Sequence, residues 1–266
     1  MAQFVNLKEL ELSYCRNITT SQFEYLFQRC SQLRSLSLSG NEQLPGNEIA
    51  DSISLHCKNL TYLNLFGTKV SYDGIKKIVQ NCSQLSQLYI PCYDPTFGSD
   101  YYGDRFKEII DLCPQLTVLE IERKIKDDDE VEYLAKKCPH FKKLIFKNGD
   151  FSKETISEMV CLPSLTSLTI LEATSSNLKN FLLHCPRLIE LHIGSTFLTD
   201  FGLDVVGEYC HKLEKLCIEN ANITSKGLLE LAQNCPKLTR LEIRKCSDVD
   251  VSTFIQYYPR LSIVQS

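Results

Sequence analysis

Several patterns that mark common kinds of site are missing from this sequence. Its 266 residues contain no basic stretch suited to phosphates, and the formal charge of -4 is spread along the chain, so nucleic acid is not expected as a partner. No apolar run approaches the roughly 18 residues of a membrane-spanning helix. The first residues lack the basic and apolar regions of a secretory signal. The sequence therefore predicts a soluble chain with no membrane partner.

Motifs for cofactors and metals are also missing. The sequence has no glycine pattern typical of a nucleotide site, so we expect no cofactor and no small-molecule substrate. None of the thirteen cysteines forms a Cys-x-x-Cys pair, which argues against a zinc or redox motif. The acidic run 127–130 lacks the alternating ligands of a calcium loop. It precedes a helical pattern, and the dipole of a helix favours negative charge at its N-terminus. We expect no metal.

What the sequence does have is a repeat. A cysteine followed three residues later by a leucine recurs in whole-repeat steps, at Cys30/Leu33, Cys57/Leu60, Cys82/Leu85, Cys113/Leu116, Cys185/Leu188, Cys210/Leu213 and Cys235/Leu238, with Cys138/Phe141 as a variant. From that leucine, apolar residues follow in the spacing Leu-x-x-Leu-x-Leu, which alternates as a strand with one buried face does. Ten units carry this spacing from Leu7 onward, and an eleventh begins at Leu261.

The residues before each cysteine have a different spacing. Ile75, Ile78 and Val79 precede Cys82 at i, i+3 and i+4, and other units repeat this amphipathic helical stripe. Four hydroxyl residues stand eleven positions before their cysteines, where their side chains are placed to cap a helix: Thr19, Ser71, Thr199 and Thr224. Each unit is therefore expected to contain a strand, a turn and a helix. Because neither element buries its apolar face alone, successive units must stack.

The repeated cysteines are interpreted as packing residues. A thiol is a small apolar group that closes the helical stripe against the next strand. Eight of the thirteen cysteines occupy this one position, a whole repeat apart, so disulfides between neighbouring members are not expected. Reduced thiols predict an intracellular, cytoplasmic location.

A repeat of about 25 residues with a helix-terminal Cys-x-x-Leu resembles the cysteine-containing subclass of leucine-rich repeats. Segments 222–238 and 198–203 carry the resemblance most closely, and it covers essentially the whole chain. It implies a single α/β leucine-rich-repeat domain over residues 1–266, with about ten repeats plus a partial C-terminal one. In such a solenoid, or horseshoe, a parallel β-sheet forms the concave face and helices form the convex face.

This subclass is best known in F-box/leucine-rich-repeat proteins. The resemblance therefore implies a non-enzymatic protein-protein interaction module that acts as a substrate-recognition subunit or adaptor of a ubiquitin ligase. The repeats begin near residue 4 and leave no room for an F-box within this chain. Three explanations stay open: the F-box was never present, the chain is a fragment, or the repeats act as a free adaptor. An alternative hypothesis is a pathogen effector that binds a host protein in the host cytosol.

Aromatic residues distinguish the third and fourth predicted strands. Alternation places Tyr62, Asn64 and Phe66 of the third strand on the concave face, together with Gln87 and Tyr89 of the fourth. Large aromatic side chains with nothing to bury them within their own sheet are candidates for binding hot spots. We therefore predict that a partner protein binds at this part of the concave face.

The only substantial insertion follows the fourth strand, since Leu85 to Leu116 spans 31 positions where neighbouring units span about 25. The extra residues fall in segment 91–104, and insertions in repeat proteins map to loops that often lie on the binding face. Tyrosine offers a large contact area at a small entropic cost. The predicted site therefore also includes Tyr93, Phe97, Tyr101 and Tyr102. In the alternative, the loop folds back and covers Phe66 and Tyr89 within the monomer.

Two further hypotheses assign the chain a catalytic or GTPase-activating role, and the sequence supports them less than it supports a protein-interaction module. Cys217 is predicted to face outward beside His192 of the preceding repeat, as a nucleophile and base would, but no orienting carboxylate or oxyanion donor is recognisable. A GTPase-activating solenoid would supply an arginine. Arg240 and Arg244 flank Glu242 among charges that are expected to compensate one another.

Overall fold

The structure is a computed structural model that describes residues 4–15, 17–91, 103–121, 128–146, 162–171, 174–258 and 260–266. The chain divides into two compact units, Met1–Arg123 and Lys124–Ser266. Among the described residues, no helix is long and apolar enough to cross a membrane.

The first unit alternates short strands with helices. Its strands are β1 (Glu9–Glu11), β2 (Ser35–Ser37), β3 (Tyr62–Asn64), β4 (Gln87–Ile90) and β5 (Val118–Ile121). Its helices are α1 (Thr20–Arg29), α2 (Gly46–His56), α3 (Tyr72–Asn81) and α4 (Gly103–Leu112). Consecutive strands pair in parallel, so each repeat adds one strand to the growing sheet.

The second unit follows the same plan. Its strands are β6 (Lys143–Phe146), β7 (Ser167–Leu171), β8 (Glu190–Gly194), β9 (Lys215–Glu219), β10 (Arg240–Arg244) and β11 (Ser262–Gln265). Its described helices are α5 (Asp128–Lys137), α6 (Ser175–Leu183), α7 (Asp200–Tyr209), α8 (Ser225–Asn234) and α9 (Val251–Tyr257). Here too, neighbouring strands pair in parallel. Both units therefore have the α/β leucine-rich-repeat architecture that the sequence pattern predicts.

The strand register follows the leucines. Leu36, Leu63 and Leu88 are partners across β2, β3 and β4, and all three are fully buried. Leu168 and Leu191 are partners in the second unit and are also buried. The residues on either side of these leucines lie on the opposite, open face of the sheet, because side chains alternate along a strand. The predicted strand register is confirmed.

The helices begin where the hydroxyl residues predict. The Thr19 side chain accepts a hydrogen bond from the amide of Gln22 and forms a capping box, and the Ser71 and Thr224 side chains accept from amides three residues on. Thr199 is also an N-cap residue, but its side chain makes no capping hydrogen bond. The capping prediction is thus confirmed for three hydroxyls and wrong for the Thr199 side chain, which meets no helix amide.

The eight repeated cysteines are buried free thiols. Five of the repeat cysteines are the C-cap residues of their helices: Cys30, Cys57, Cys82, Cys210 and Cys235. The Cys82 thiol donates to the carbonyl oxygen of Cys57 at 3.3 Å, and Cys235 donates in the same way to Cys210. Burial raises the pKa of Cys57 and of Cys82 to about 12. The cysteines thus pack one repeat against the next, as the sequence predicts.

A left-handed residue closes several strands. It stands two positions after the last strand leucine or isoleucine, at Tyr14, Gly40, Gly67, Asn220 and Lys245. At Gly40, with φ of 73°, the ring of Tyr14 lies where a Cβ would be. Glycine therefore serves two needs at this position, a positive φ and the close approach of an aromatic ring.

Candidate functional site

The tyrosines predicted on the third and fourth strands meet in the structure. Tyr62 of β3 pairs in register with Gln87 of β4, so Tyr89 lies diagonally across from Tyr62 on the open face. The centroids of the two tyrosine rings are 5.3 Å apart and the ring planes are inclined at 48°. Both side chains are half-buried. Offset or tilted aromatic pairs at this separation stabilise one another, so the two rings form a fixed aromatic surface.

The other strand residues of the predicted site surround this pair. Asn64 is the register partner of Tyr89, and its side-chain oxygen accepts a hydrogen bond from the amide of Phe66 at 2.9 Å. Phe66 and Gln87 are half-buried, as is Asn64. Burial, followed by the neighbouring Tyr62 and Glu120, raises the pKa of Tyr89. The phenol of Tyr89 is therefore protonated at neutral pH and available as a hydrogen-bond donor.

The predicted loop residues belong to segment 91–104. Tyr93, Phe97, Tyr101 and Tyr102 lie outside the described residues, and so does most of segment 91–104. The five strand residues are thus brought together, while the contribution of the loop stays a prediction.

The first two strands add acidic and small side chains to the same face. Glu9 and Glu11 of β1 are exposed, and their register partners on β2 are Ser35 and Ser37. The Ser13 hydroxyl lies 2.9 Å from the Ser37 hydroxyl and also donates to the Glu11 carboxylate. In the register of the sheet, these serines of β2 separate the glutamates of β1 from Tyr62 and Asn64 of β3.

The second unit has a different open face. Its strands β6 to β10 line a pocket of about 160 Å³ that contains buried leucines and many polar and charged side chains, including Lys143, Ser167, Glu190, His192, Lys215, Cys217, Arg240 and Glu242. Several of these charges are in ion pairs. Lys215 pairs with Glu190, and the Glu242 carboxylate accepts from Arg240 and from Arg244 at 2.6 and 2.7 Å. The predicted compensation of charges around Glu242 is confirmed.

His192 and Cys217 are register partners on β8 and β9, as predicted. Burial raises the pKa of the Cys217 thiol to about 11. Burial, and after it the charge of Arg244, lowers the pKa of His192. At neutral pH the thiol is therefore protonated and the imidazole is neutral, whereas a thiolate nucleophile requires a lowered cysteine pKa. The carboxylate nearest to His192, that of Glu219, is 3.6 Å away, beyond a good hydrogen bond.

Two exposed phenylalanines were missed by the sequence patterns. Phe197 follows β8 with 69% of its surface exposed, and Phe201 near the start of α7 is 60% exposed. Neither belongs to the strand spacing or to the helical stripe, since the stripe of α7 uses Leu203 and Val206. Their signal in the sequence is that they are large apolar residues outside both periods.

No group of three or more potential metal ligands occurs in the part of the chain that the structure describes.

Comparison with known proteins supports the repeat assignment. A family model described as Leucine Rich repeat matches residues 56–79. F-box protein SKIP19 of Arabidopsis thaliana is 33% identical over 104 residues, which is 39% of this chain and 34% of that protein. F-box protein SKIP17 of the same plant is 25% identical over 170 residues, which is 61% of this chain and 33% of that protein. The chain spans about a third of the length of both curated relatives.

A solved structure shares the fold over nearly all of the chain. One chain of the yeast complex of Rad7 and Elc1 superposes with a TM-score of 0.56 at 18% sequence identity, covering 97% of this chain and 81% of that chain. Identity this low shows the fold alone. With the Cys-x-x-Leu period, the buried strand leucines and the matched repeat model, the chain is a cysteine-containing leucine-rich-repeat protein that resembles F-box/leucine-rich-repeat proteins.

Proposed function

We propose that this chain is a protein-interaction module whose main binding site is the tyrosine face, defined as Tyr62, Asn64, Phe66, Gln87 and Tyr89 on the open side of β3 and β4. The observation that carries the proposal is the Tyr62–Tyr89 ring pair, which is half-buried on the open face of the sheet, opposite the buried leucines. Tyrosine is enriched among the residues that dominate binding energy at protein interfaces. Segment 91–104, which follows β4 directly, extends the site in this proposal.

The tyrosine rings of the site project from strands that the hydrophobic core holds in place. Leu63 and Leu88, between the site residues, are fully buried, so the strands that present the tyrosines are held by the core. A tyrosine on a fixed strand loses few rotamers when a partner covers it, and its phenol still makes a hydrogen bond at the interface. The Asn64 side chain is already held by the Phe66 amide. The face is therefore organised before a partner arrives, which lowers the entropic cost of association.

For the biological role, we propose a substrate-recognition or adaptor protein close to the ubiquitin system, with an intracellular, cytoplasmic location. Two relatives are F-box proteins by name, and the repeat cysteines are free thiols that suit a reducing compartment. The alternative is an effector that binds a host protein in the host cytosol. We propose no enzymatic activity, and no nucleic-acid, membrane or small-molecule partner.

Affinity capture tests the proposal. The chain is immobilised, incubated with cell lysate, and the bound proteins are identified by mass spectrometry for the native sequence and for Y62A/F66A/Y89A. We expect the triple variant to lose most of its specific partner, because truncating aromatic hot spots costs about 2 kcal/mol or more each. Adaptor or cullin peptides among the captured proteins would support the ubiquitin-ligase role over the effector role.

The matched control removes an exposed tyrosine from the helical side of the same unit. Tyr25 of α1 is 49% exposed, so Y25A changes a similar surface without touching the open face. Circular dichroism and thermal melts establish that each variant folds, and Y62A/Y89A replaces the triple variant if Phe66 proves necessary for folding. A folded variant that captures the same partner as the native chain would rule out the tyrosine face as the site.

A further inference from the structure

The pocket of about 160 Å³ on the open face of the second unit has a position that side-chain size explains. Three of the strand residues that line it are small: Ser167, Thr169 and Cys217. Their register partners include the long side chains of Lys143 beside Ser167 and Glu242 beside Cys217. The pocket also reaches the buried leucines of β7, β8 and β9. It is therefore a depression in the sheet surface, open to a group that approaches from the solvent.

The charges that line this pocket do not balance. The lining contains three cations and two carboxylates, and both carboxylates are already in ion pairs. Glu190 pairs with Lys215, and Glu242 pairs with Arg240 and with a second arginine outside the lining. The half-buried Lys143 has no ion pair in the part of the chain that the structure describes. The excess positive charge at this end of the pocket favours an anionic group.

Several polar groups of the pocket have unused hydrogen-bonding capacity. Among the described residues, the Thr169 hydroxyl makes no hydrogen bond, and the Ser167 hydroxyl donates a long one to Glu190 at 3.5 Å. The Nε2 atom of His192 is buried with no hydrogen-bond partner in the same part of the chain, since the Glu219 carboxylate is 3.6 Å away. Buried polar atoms of folded proteins are nearly always hydrogen-bonded. The pocket is therefore prepared for a polar group from outside the chain.

The donors at one end of the pocket suit a carboxylate. Lys143 of β6 and Ser167 of β7 are register partners, and Thr169 follows Ser167 on the same face of β7. Residues two apart on a strand are about 7 Å apart, and the lysine stem is long and flexible. An ammonium donates three hydrogen bonds and each hydroxyl donates one, whereas an ionised carboxylate only accepts. One carboxylate therefore meets all three donors, through charge-assisted hydrogen bonds.

The size of the pocket favours a side chain of a protein over a free ligand. Pockets that bind small molecules usually have volumes of roughly 300–1,000 Å³, and this one has about 160 Å³. A cavity of about 150 Å³ holds a molecule the size of benzene, which is comparable to one side chain. A polypeptide that crosses the open face inserts such a group while the rest of its chain stays outside the pocket.

We propose that this pocket, named the lysine pocket and defined by Lys143, Ser167, Thr169, His192 and Cys217, binds the side-chain carboxylate of a glutamate or aspartate of a partner protein. The carboxylate accepts hydrogen bonds from the ammonium of Lys143 and from the two hydroxyls. The carboxylates that already line the pocket keep their ion pairs. This contact goes beyond the proposed function, because it lies in the second unit and does not involve the tyrosine face.

Alkylation of Cys217 measures occupancy of the lysine pocket, because this thiol is part of the lining. The full chain is treated with iodoacetamide at increasing concentrations of N-acetyl-glutamate N-methylamide, whose side-chain carboxylate is its only charge, and peptide mass spectrometry follows the modification. We expect the compound to slow the modification of Cys217 in a saturable way. Cys15, a half-buried thiol of the first unit, is the internal control and should be unaffected.

The neutral glutamine analogue of the same compound tests the requirement for charge. We expect it to bind at least about fivefold more weakly, because charge-assisted hydrogen bonds are stronger than neutral ones. Thermal melts at the same concentrations give a second measure that does not depend on thiol reactivity, since a ligand that binds only the folded chain stabilises it.

Substitutions then assign the binding to individual donors. We expect K143Q to weaken binding of the glutamate compound about three- to fivefold, and T169V, which removes the hydroxyl at nearly constant shape, to weaken it about two- to fivefold. The matched control is K142Q, because Lys142 is the exposed neighbour of Lys143 and does not line the pocket. K142Q and Y62A/Y89A should each bind within about twofold of the native chain. Circular dichroism establishes that each variant folds.

Several outcomes would overturn the inference. Equal binding of the glutamate and glutamine compounds, unchanged binding in both K143Q and T169V, or an equal loss in K142Q and K143Q would mean that the pocket has no specific role. Glutarate tests a free acid as the source of the carboxylate, and binding of glutarate about tenfold more tightly than the blocked glutamate would assign the pocket to a small molecule. A dimer in light scattering that K143Q dissociates would assign it to a second copy of this chain. The capture experiment with Y62A/F66A/Y89A tests the tyrosine face separately, so the proposed function stands if this inference alone fails.

Discussion

In the Leu-x-x-Leu-x-Leu spacing, the residue that follows the second leucine faces the open side of the sheet. This residue is Tyr89 on β4 of the first unit, and it is His192 on β8 and Cys217 on β9 of the second unit. In the first unit, Tyr89 packs against Tyr62 and leaves aromatic surface half-exposed. In the second unit, several of the surrounding charges are in ion pairs, with Glu242 held between two arginines. The same backbone position therefore holds a half-exposed aromatic side chain in one unit and lies among ion-paired side chains in the other.

This difference shows how a repeat protein separates folding from binding. The leucines and cysteines that hold each repeat are alike in both units, so they carry no information about partners. The side chains between them are free to vary, because the open face contributes little to the core. A binding site is therefore expected where those side chains do not satisfy one another, which favours the first unit.

The largest expected effect tests whether the two units really share one kind of core. Leu36 and Leu168 occupy equivalent strand positions and are 0% and 1% exposed. We expect L36A and L168A each to lower the free energy of unfolding by about 2–5 kcal/mol, since each leaves a cavity. Denaturant unfolding monitored by circular dichroism measures both. A cost below about 1 kcal/mol in one unit would mean that its strand register differs from that described here.

A smaller effect tests whether the pocket of the second unit holds a reactive thiol. Because burial raises the pKa of Cys217 to about 11, its thiolate fraction at pH 7 is lower than that of an ordinary cysteine with a pKa of about 8.5. We expect iodoacetamide to modify Cys217 at least tenfold more slowly than it modifies glutathione, as followed by peptide mass spectrometry. Modification as fast as that of glutathione, or faster, would revive the catalytic hypothesis and weaken the contrast between the units.

The smallest effect concerns the ion pairs of the second unit. Hydrogen bonds from Arg240, and then from Arg244, lower the pKa of Glu242. A lowered carboxyl pKa adds stability that is present above the unfolded pKa of about 4.3 and is lost as the pH falls through the folded pKa. We expect E242Q to cost no more than about 1 kcal/mol at pH 7, because the arginines are about half-exposed.

Denaturant melts of the native chain and E242Q at pH 7 and pH 3 measure this contribution. The difference between the two proteins should shrink at pH 3, where Glu242 of the unfolded chain is protonated. A difference that is the same at both pH values would show that the ion pairs do not compensate the charge of this face.

Much of the local structure follows from the sequence. The Leu-x-x-Leu-x-Leu spacing predicts the strands and the buried leucines, and the Cys-x-x-Leu junction predicts where each helix ends. The hydroxyl caps were predicted at four helices, but Thr199 shows the limit of that signal. A threonine at the right position does not ensure that its side chain points to the helix amides.

The candidate site also has features that the sequence predicts and features that it does not. Alternation along a strand places Tyr62 and Tyr89 on the open face, and the parallel register brings them together. The exposed Phe197 and Phe201 carry no periodic signal and were not found. The ion pairs of the second unit depend on which rotamers reach across strands, and a period in the sequence does not specify rotamers.

The sequence by itself determined the repeat, its strands and helices, and the residues that face the open side of each strand, because periods of 2 and 3.6 residues are properties of single elements. Only the tertiary structure decided that Tyr62 and Tyr89 contact each other and that Glu242 is held by two arginines. Those contacts join side chains from different repeats or fix one rotamer among several. They arise when stacking sets the distance between neighbouring strands at about 4.8 Å.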